Sequence, residues 1–215
     1  MAKLTIEDLP WEEMKQLGIT KDVLEKTNNL ETLLNYGKTD LLAIKGKLPN
    51  VEITGGHAKF FMRSNSEGKP ELRVELCRKF PNFKSAIYGQ YLTEEQQNTI
   101  KDGGCAKLTC NTSNGELNLL VSLDKDTNQL NHVEVGKAHV PDKIAGAEIS
   151  QMQKDMLLGG MKVKIDGMKN KEGQAINASV AYNAVTKGLV FIFDNNEGRT
   201  VDKSNKRTVK KTQNL

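Results

Sequence analysis

Three histidines, three cysteines, the glycine pairs at 103–104 and 159–160 and a terminal run of Lys and Arg are the residues of this 215-residue chain whose types could carry chemistry. Catalysis needs convergent groups, such as a nucleophile beside an oriented base or carboxylates facing across a cleft. His57, His132 and His139 fall in or beside loops and strand ends, and no acid–histidine motif frames them. They read as surface or partly buried side chains. Cys105 and Cys110 are five positions apart, which in a strand points the two thiols to opposite faces. That works against a shared metal, and no second pair completes a tetrahedral site. Cys77 is expected on the outward face of its strand. No catalytic residue, metal ligand or cofactor is therefore assigned. An enzyme would need several of His57, His132, His139, Asp124 and Asn183 around one cavity.

Gly103-Gly104 and Gly159-Gly160 invite a phosphate-loop reading, but their order is wrong. A phosphate cradle follows a strand and opens a helix, so that the helix N-terminus meets the anion. These glycines close a helix and lead into a strand, which is the C-cap role. Gly37-Lys38-Thr39 echoes the end of a phosphate loop, yet it too follows a helix.

The basic run is the remaining candidate. Arg199, Lys203, Lys206, Arg207, Lys210 and Lys211 stand against Glu197 and Asp202. Of the chain's 31 Lys+Arg and 27 Asp+Glu, six and two fall in residues 197–215, so residues 1–196 hold 25 of each sign. The net charge of +4 thus belongs to a basic tail on a neutral body. The six cations could pair with nucleic-acid phosphates and would do so less well in salt. No aromatic residue interleaves them, so the tail offers no base stacking. Lys107, Lys162, Lys164 and Arg73, on outward strand faces, could add to the contact.

Composition bounds the rest. Hydrophobic residues make up 37% and aromatics only 5%, so the core should be modest and aliphatic. No apolar run approaches the roughly 20 residues that cross a bilayer. The N-terminus lacks the apolar stretch of a secretion signal, and the odd cysteine count fits a reducing cytoplasm.

The elements that would position these residues repeat. Residues 89–135 and 146–194 align, with Leu92-Thr93 over Ile149-Ser150, Gln96 over Gln153, Gly103 over Gly160 and Ala106-Lys107-Leu108 over Val163-Lys164-Ile165. Val121-Ser122-Leu123-Asp124 then matches Val180-Ala181-Tyr182-Asn183. Each copy predicts one helix and a three-stranded antiparallel meander. Thr93 with Gln96, and Ser150 with Gln153, fit the capping box that starts a helix. Strands are expected at 105–110, 117–123 and 129–135, and again at 161–167, 174–182 and 188–194. Upstream, Trp11, Met14 and Leu17, then Val23 and Leu24, then Leu30, Leu33 and Leu34 mark short helices, capped in turn by Pro10, Thr20 and Asn28 or Asn29. A short strand follows at Leu41–Ile44. Residues 45–57 read as loop, with a possible strand at Val51–Ile53. Ala58, Phe60 and Met62, then Leu72, Val74 and Leu76, predict a hairpin with one apolar face. The N-terminal part follows the order of the repeats, as a degenerate third copy would. The expected fold is α+β: residues 1–80 an N-terminal helical and hairpin module, 81–138 the first repeat, 139–196 the second, and 197–215 a flexible basic tail.

Several stretches together carry a family likeness. They are Leu9-Pro10-Trp11-Glu12-Glu13-Met14, Leu30-Glu31-Thr32-Leu33-Leu34, Gly37-Lys38-Thr39, Leu92-Thr93-Glu94-Glu95-Gln96 to Gly103, Val140-Pro141-Asp142 to Gly160, and Leu189 to Asp194. Over residues 5–195 the chain resembles proteins of unknown function carried on conjugative and other mobile elements of gut Bacteroidales. These join an N-terminal helical module to a repeated C-terminal one. The resemblance implies a cytoplasmic accessory linked to DNA mobility and transfers no catalytic residue. The expected function is a non-enzymatic binding module that contacts a protein partner or DNA, with no membrane and no small-molecule substrate. The alternative is a protein–protein adaptor or an inhibitor of a host defence system, with no nucleic-acid contact.

Overall fold

The computed structural model describes residues 3–48 and 51–193. It is an α+β chain in which short helices alternate with small antiparallel sheets. Pro10 precedes α1 (Trp11–Lys15), and the Thr20 hydroxyl accepts the Val23 N–H at 3.3 Å to start α2 (Lys21–Lys26). Asn29 precedes α3 (Leu30–Leu34), but its side chain is used elsewhere. Its amide oxygen accepts the Asp40 N–H at 2.8 Å and its amide nitrogen donates to the Thr27 carbonyl at 3.2 Å. None of these helices is long enough to persist alone. They are held by burying Met14, Leu17, Ile19, Leu24 and Leu33 against Ile44, Ala58, Phe60 and Met62 of the sheet that follows.

That sheet corrects one expectation. Residues 45–48 and 51–57 are strand, not loop. β1 (Leu42–Leu48), β2 (Val51–Ser64) and β3 (Pro70–Leu76) form a three-stranded meander, with Gly46 opposite Ile53 and Lys47 opposite Glu52. The glycines that look like loop residues mark a bulge and a close approach. At Gly46, φ is +150° and a Cβ would sit 1.7 Å from the Gln16 carbonyl oxygen. The end of α1 lies on the strand there, accepting the Lys47 N–H at Gln16 and the Lys45 N–H at Leu17.

The first repeat runs as read. In α4 (Glu94–Lys101) the Thr93 hydroxyl accepts the Gln96 N–H at 3.2 Å, and the Gln96 carboxamide accepts the Thr93 N–H at 2.8 Å. β4 (Ala106–Thr112), β5 (Gly115–Asp124) and β6 (Gln129–Glu134) follow in meander order. An unforeseen two-residue hairpin, β7 (Lys143–Ile144) with β8 (Ala147–Glu148), introduces the second repeat. Ser150 and Gln153 close the capping box of α5 (Gln151–Leu158). β9 (Val163–Lys164), β10 (Ser179–Asn183) and β11 (Gly188–Ile192) complete it. Its first two strands are shorter than expected. The Asn170 carboxamide oxygen accepts the N–H groups of both Glu172 and Gln174, which holds the intervening chain in a turn.

In β5, Leu119, Leu120, Val121 and Ser122 are buried in succession, because both faces of the sheet are covered. Leu119 and Val121 pack with Ile100 of α4. Leu120 packs on the other side with Val180, Tyr182 and Leu157 of the second repeat. The repeats also touch at their helix-to-strand loops in a reciprocal way. Gly160, at φ +81°, lies against the Cys105–Lys107 backbone, where a Cβ would sit 2.8 Å from the Lys107 nitrogen. Gly104 lies against the Lys162 side chain. Among the described residues no helix is long and apolar enough to cross a membrane.

Candidate functional site

Three places gather polar or exposed side chains across module boundaries. The first is a buried ionic network between the N-terminal sheet and the first repeat. Lys59 on β2 and Glu75 on β3 stand directly opposite, on the face that alternation assigns to solvent. Both are buried, and each bonds across the boundary. The Lys59 ammonium lies 3.0 and 2.9 Å from the Asp124 carboxylate oxygens and 2.6 Å from Asp126. Glu75 accepts from Lys38 at 2.6 Å, from the Thr127 hydroxyl, and from Asn131 at 3.3 Å. Lys38 also donates to Asn131 at 2.7 Å. Thr39 sets the position of Lys38 by pairing with Phe60: its N–H donates to the Phe60 carbonyl and its hydroxyl accepts the Phe60 N–H, both at 2.9 Å.

Burial works against both charges, and the bonds outweigh it. The Lys59 ammonium is held above its ordinary value by Asp126 and Asp124, and the Glu75 carboxyl below its own by Lys38, Thr127 and Asn131. Among the described residues no buried side-chain nitrogen or oxygen lacks a hydrogen-bond partner. A network so fully satisfied fixes geometry. It ties the N-terminal sheet to the first repeat.

The second place is a groove of about 750 Å³ between the two repeats. Glu94, Glu95 and Asp102 of the α4 side face Met156, Met161 and Lys162 of the α5 side. Met161 is half exposed, and Met152, one turn before Met156 on α5, is more so. Three acids against one lysine make the groove unfavourable for phosphate and suited to a cationic or apolar segment.

The third is a cleft of about 320 Å³ where residues 78–88 meet the β5–β6 turn and β6. Arg78, Asn82, Ser85, Tyr88, Gln129 and His132 bring polar groups to it. Tyr88 meets His132 edge to face, with ring centroids 5.7 Å apart. Local burial, and then the Arg63 guanidinium, push the His132 imidazole below its ordinary value, against a smaller opposing pull from Glu134.

The sequence candidates do not converge on one cavity. His132 lines the third place, while Asp124 is locked onto Lys59 in the first. His57 sits opposite Ala43 on the N-terminal sheet, and the Asn183 carboxamide accepts the Val185 N–H in its own turn. His139 lines neither the groove nor the cleft. Cys105 packs in the core of the second repeat and Cys110 in that of the first, on opposite sides of the sheet. Burial pushes the Cys105 thiol up to about 11. Cys77 is exposed. Among the described residues no three His, Cys, Asp or Glu side chains gather to hold a metal ion. Arg199, Lys203, Lys206, Arg207, Lys210 and Lys211 lie outside the described residues.

The ionic network escaped sequence reasoning because Lys59 and Asp124 are 65 positions apart and each reads as a solvated charge. The cleft had a readable signal in the acid-free stretch Arg78–Leu92, which carries four aromatic residues.

Comparison with known proteins adds two matches. Residues 5–86 match a family model described as a protein of unknown function (DUF4099), and residues 141–194 match another so described (DUF3945). No curated protein and no solved structure matches the chain. The N-terminal helices and sheet are thus similar to one family of unknown function, and the second repeat to another.

Proposed function

We propose that this chain works by binding rather than by catalysis. In this reading it is a cytoplasmic accessory of a bacterial mobile element that engages a protein partner or DNA. The observation that carries the reading is the groove between the repeats, open to solvent and edged by exposed methionine. Methionine adapts to irregular apolar partners, and a groove between helices is a common seat for a partner segment. The acids on its α4 side favour a cationic protein segment there. Contact with DNA falls to basic residues elsewhere, the tail cations Lys206, Arg207, Lys210 and Lys211 among them. Its placement among mobile elements of Bacteroidales rests on the resemblance of its helix-start and turn signatures. The three cysteines, all free thiols, fit a reducing compartment.

The test compares the full chain with Met161→Glu as bait in lysate of the source cells, with and without nuclease. The reading expects a discrete protein that survives nuclease and is lost with the variant. Identical retention by both baits would count against the groove. Loss of all retained material on nuclease treatment would leave nucleic acid as the direct partner.

A further inference from the structure

Residues 77–92, which join the N-terminal sheet to the first repeat, differ in composition from the rest of the chain. They contain Arg78, Lys79 and Lys84 and no acid. Two of the chain's six Phe, Phe80 and Phe83, and two of its four Tyr, Tyr88 and Tyr91, fall among them. Phe83 packs on the first repeat's core, but Phe80, Tyr88 and Tyr91 are 70%, 57% and 65% exposed. Three exposed large rings and three cations within one sixteen-residue segment make it a stretch that invites a ligand. The tail's cations lack such rings.

Tyr88 is the most informative of them. It is the first central residue of a two-residue turn, with φ +47° followed by +77° at Gly89. The turn is closed by Ile87 and Gln90, which exchange N–H to carbonyl bonds of 2.8 and 3.0 Å. That position ordinarily takes Asn, Asp or Gly, because a side chain is strained in the left-handed region. Tyr36, Ala145 and Lys187 share this backbone region, and what sets Tyr88 apart is that its ring lines the cleft and meets His132 edge to face. No carboxylate lines that cleft; Arg78 and His132 line it, while the Asn82 and Gln129 amides donate to the Ser85 hydroxyl and the Leu76 carbonyl. Glu134 is the nearby acid, opposed at His132 by Arg63. Lys79 lies over the Phe80 ring at 5.5 Å, so cation and ring are presented together.

We propose that residues 77–92 and the adjoining His132 cleft bind a single-stranded polynucleotide, with Phe80, Tyr88 and Tyr91 stacking on bases and Arg78, Lys79 and Lys84 pairing with phosphates. Interleaved rings and cations suit a single strand, whose bases are free to stack. A duplex keeps its base faces covered. The inference rests on the binding reading above but not on the basic tail.

The experiment is an anisotropy titration of the full chain at low salt with labelled oligo-dT, oligo-U, a mixed-sequence duplex and a poly-glutamate peptide. Tyr88→Asn suits the turn's backbone, so it should keep or raise Tm while weakening single-strand binding roughly fivefold or more. Phe80→Ala and Tyr91→Ala should each do the same at unchanged Tm. Joint replacement of Arg78, Lys79 and Lys84 by Gln should flatten the salt dependence by about two units of slope. Binding of either single strand in this pattern supports the proposal, and the tighter of the two identifies the source. Aromatic variants that bind like the parent overturn it. So do a preference for duplex or poly-glutamate, and no binding at all. If only replacement of Lys206, Arg207, Lys210 and Lys211 by Gln abolishes binding, this surface is refuted while the broader binding reading stands.

Discussion

Replacing Lys59 by Met should destabilise the chain through the junction between the N-terminal sheet and the first repeat. The cost can be worked from the partners left behind. Asp126 is 62% exposed and will hydrate, but the Asp124 side chain is 3% exposed and cannot. Asp124 keeps the Lys38 ammonium at 3.9 Å and the Asp126 N–H at 3.0 Å, a partial compensation. Removing one partner of a buried pair costs about 3–5 kcal/mol, so the low end, about 3 kcal/mol, applies here. For a chain of this size that corresponds to a Tm drop of roughly 6–12 °C. The assay is urea and thermal unfolding of the full chain in a cycle with Asp124→Leu. The double variant removes both charges and should recover most of the loss, with a coupling on the order of 2 kcal/mol. The exposed Lys3–Glu31 pair is the control, and its disruption should leave Tm unchanged. A Lys59→Met variant as stable as the parent, or a cycle with no coupling, would refute the docking role of the network.

Other outcomes follow from the same geometry. Gly46→Ala must part α1 from β1 and should cost about 3 kcal/mol or more by urea unfolding, whereas Gly55→Ala, with open space around it, should stay within about 0.5 kcal/mol. The His132 C2 proton should titrate by NMR below the ordinary imidazole value, and Arg63→Gln should raise its midpoint. An unmoved midpoint would dissociate the two groups. Glu75, whose folded value is depressed, adds stability above about pH 4.3 that is lost as pH falls through the lower folded value. Glu75→Gln should therefore flatten the acid limb of the stability curve. Ellman's reagent should reach Cys77 rapidly in the folded chain, and Cys105 and Cys110 only on unfolding. Three fast thiols would contradict the core assignment.

What could be read in the sequence was local. The capping boxes at Thr93 and Ser150, the hairpin faces of Ala58, Phe60 and Met62, and the left-handed stops at Gly103 and Gly160 depend on residues within a few positions of one another. Residues 45–57 were not legible, because Gly46 serves an approach by α1 from elsewhere in the chain rather than a turn. Lys59 and Glu75 alternate like solvent-facing residues, and only the arrival of the β5–β6 turn buries them. Asp124 aligns with Asn183, yet the first takes part in docking and the second only caps its turn. Local signals are readable in both segments, and contacts between distant segments are not. The cleft shows the reverse case. Its aromatic and basic residues are contiguous and could have been noticed, but the left-handed Tyr88 and the His132 edge belong to the fold.

Photocrosslinking the full chain to an oligonucleotide bearing iodouracil, followed by peptide mapping, tests most directly where the molecule meets its ligand. Attachment at Tyr88, Tyr91 or Phe80 is the predicted result, because a ring must stack on the base to capture it. Attachment confined to residues 197–215 or to the groove between α4 and α5 would contradict the assignment of single-strand binding to residues 77–92.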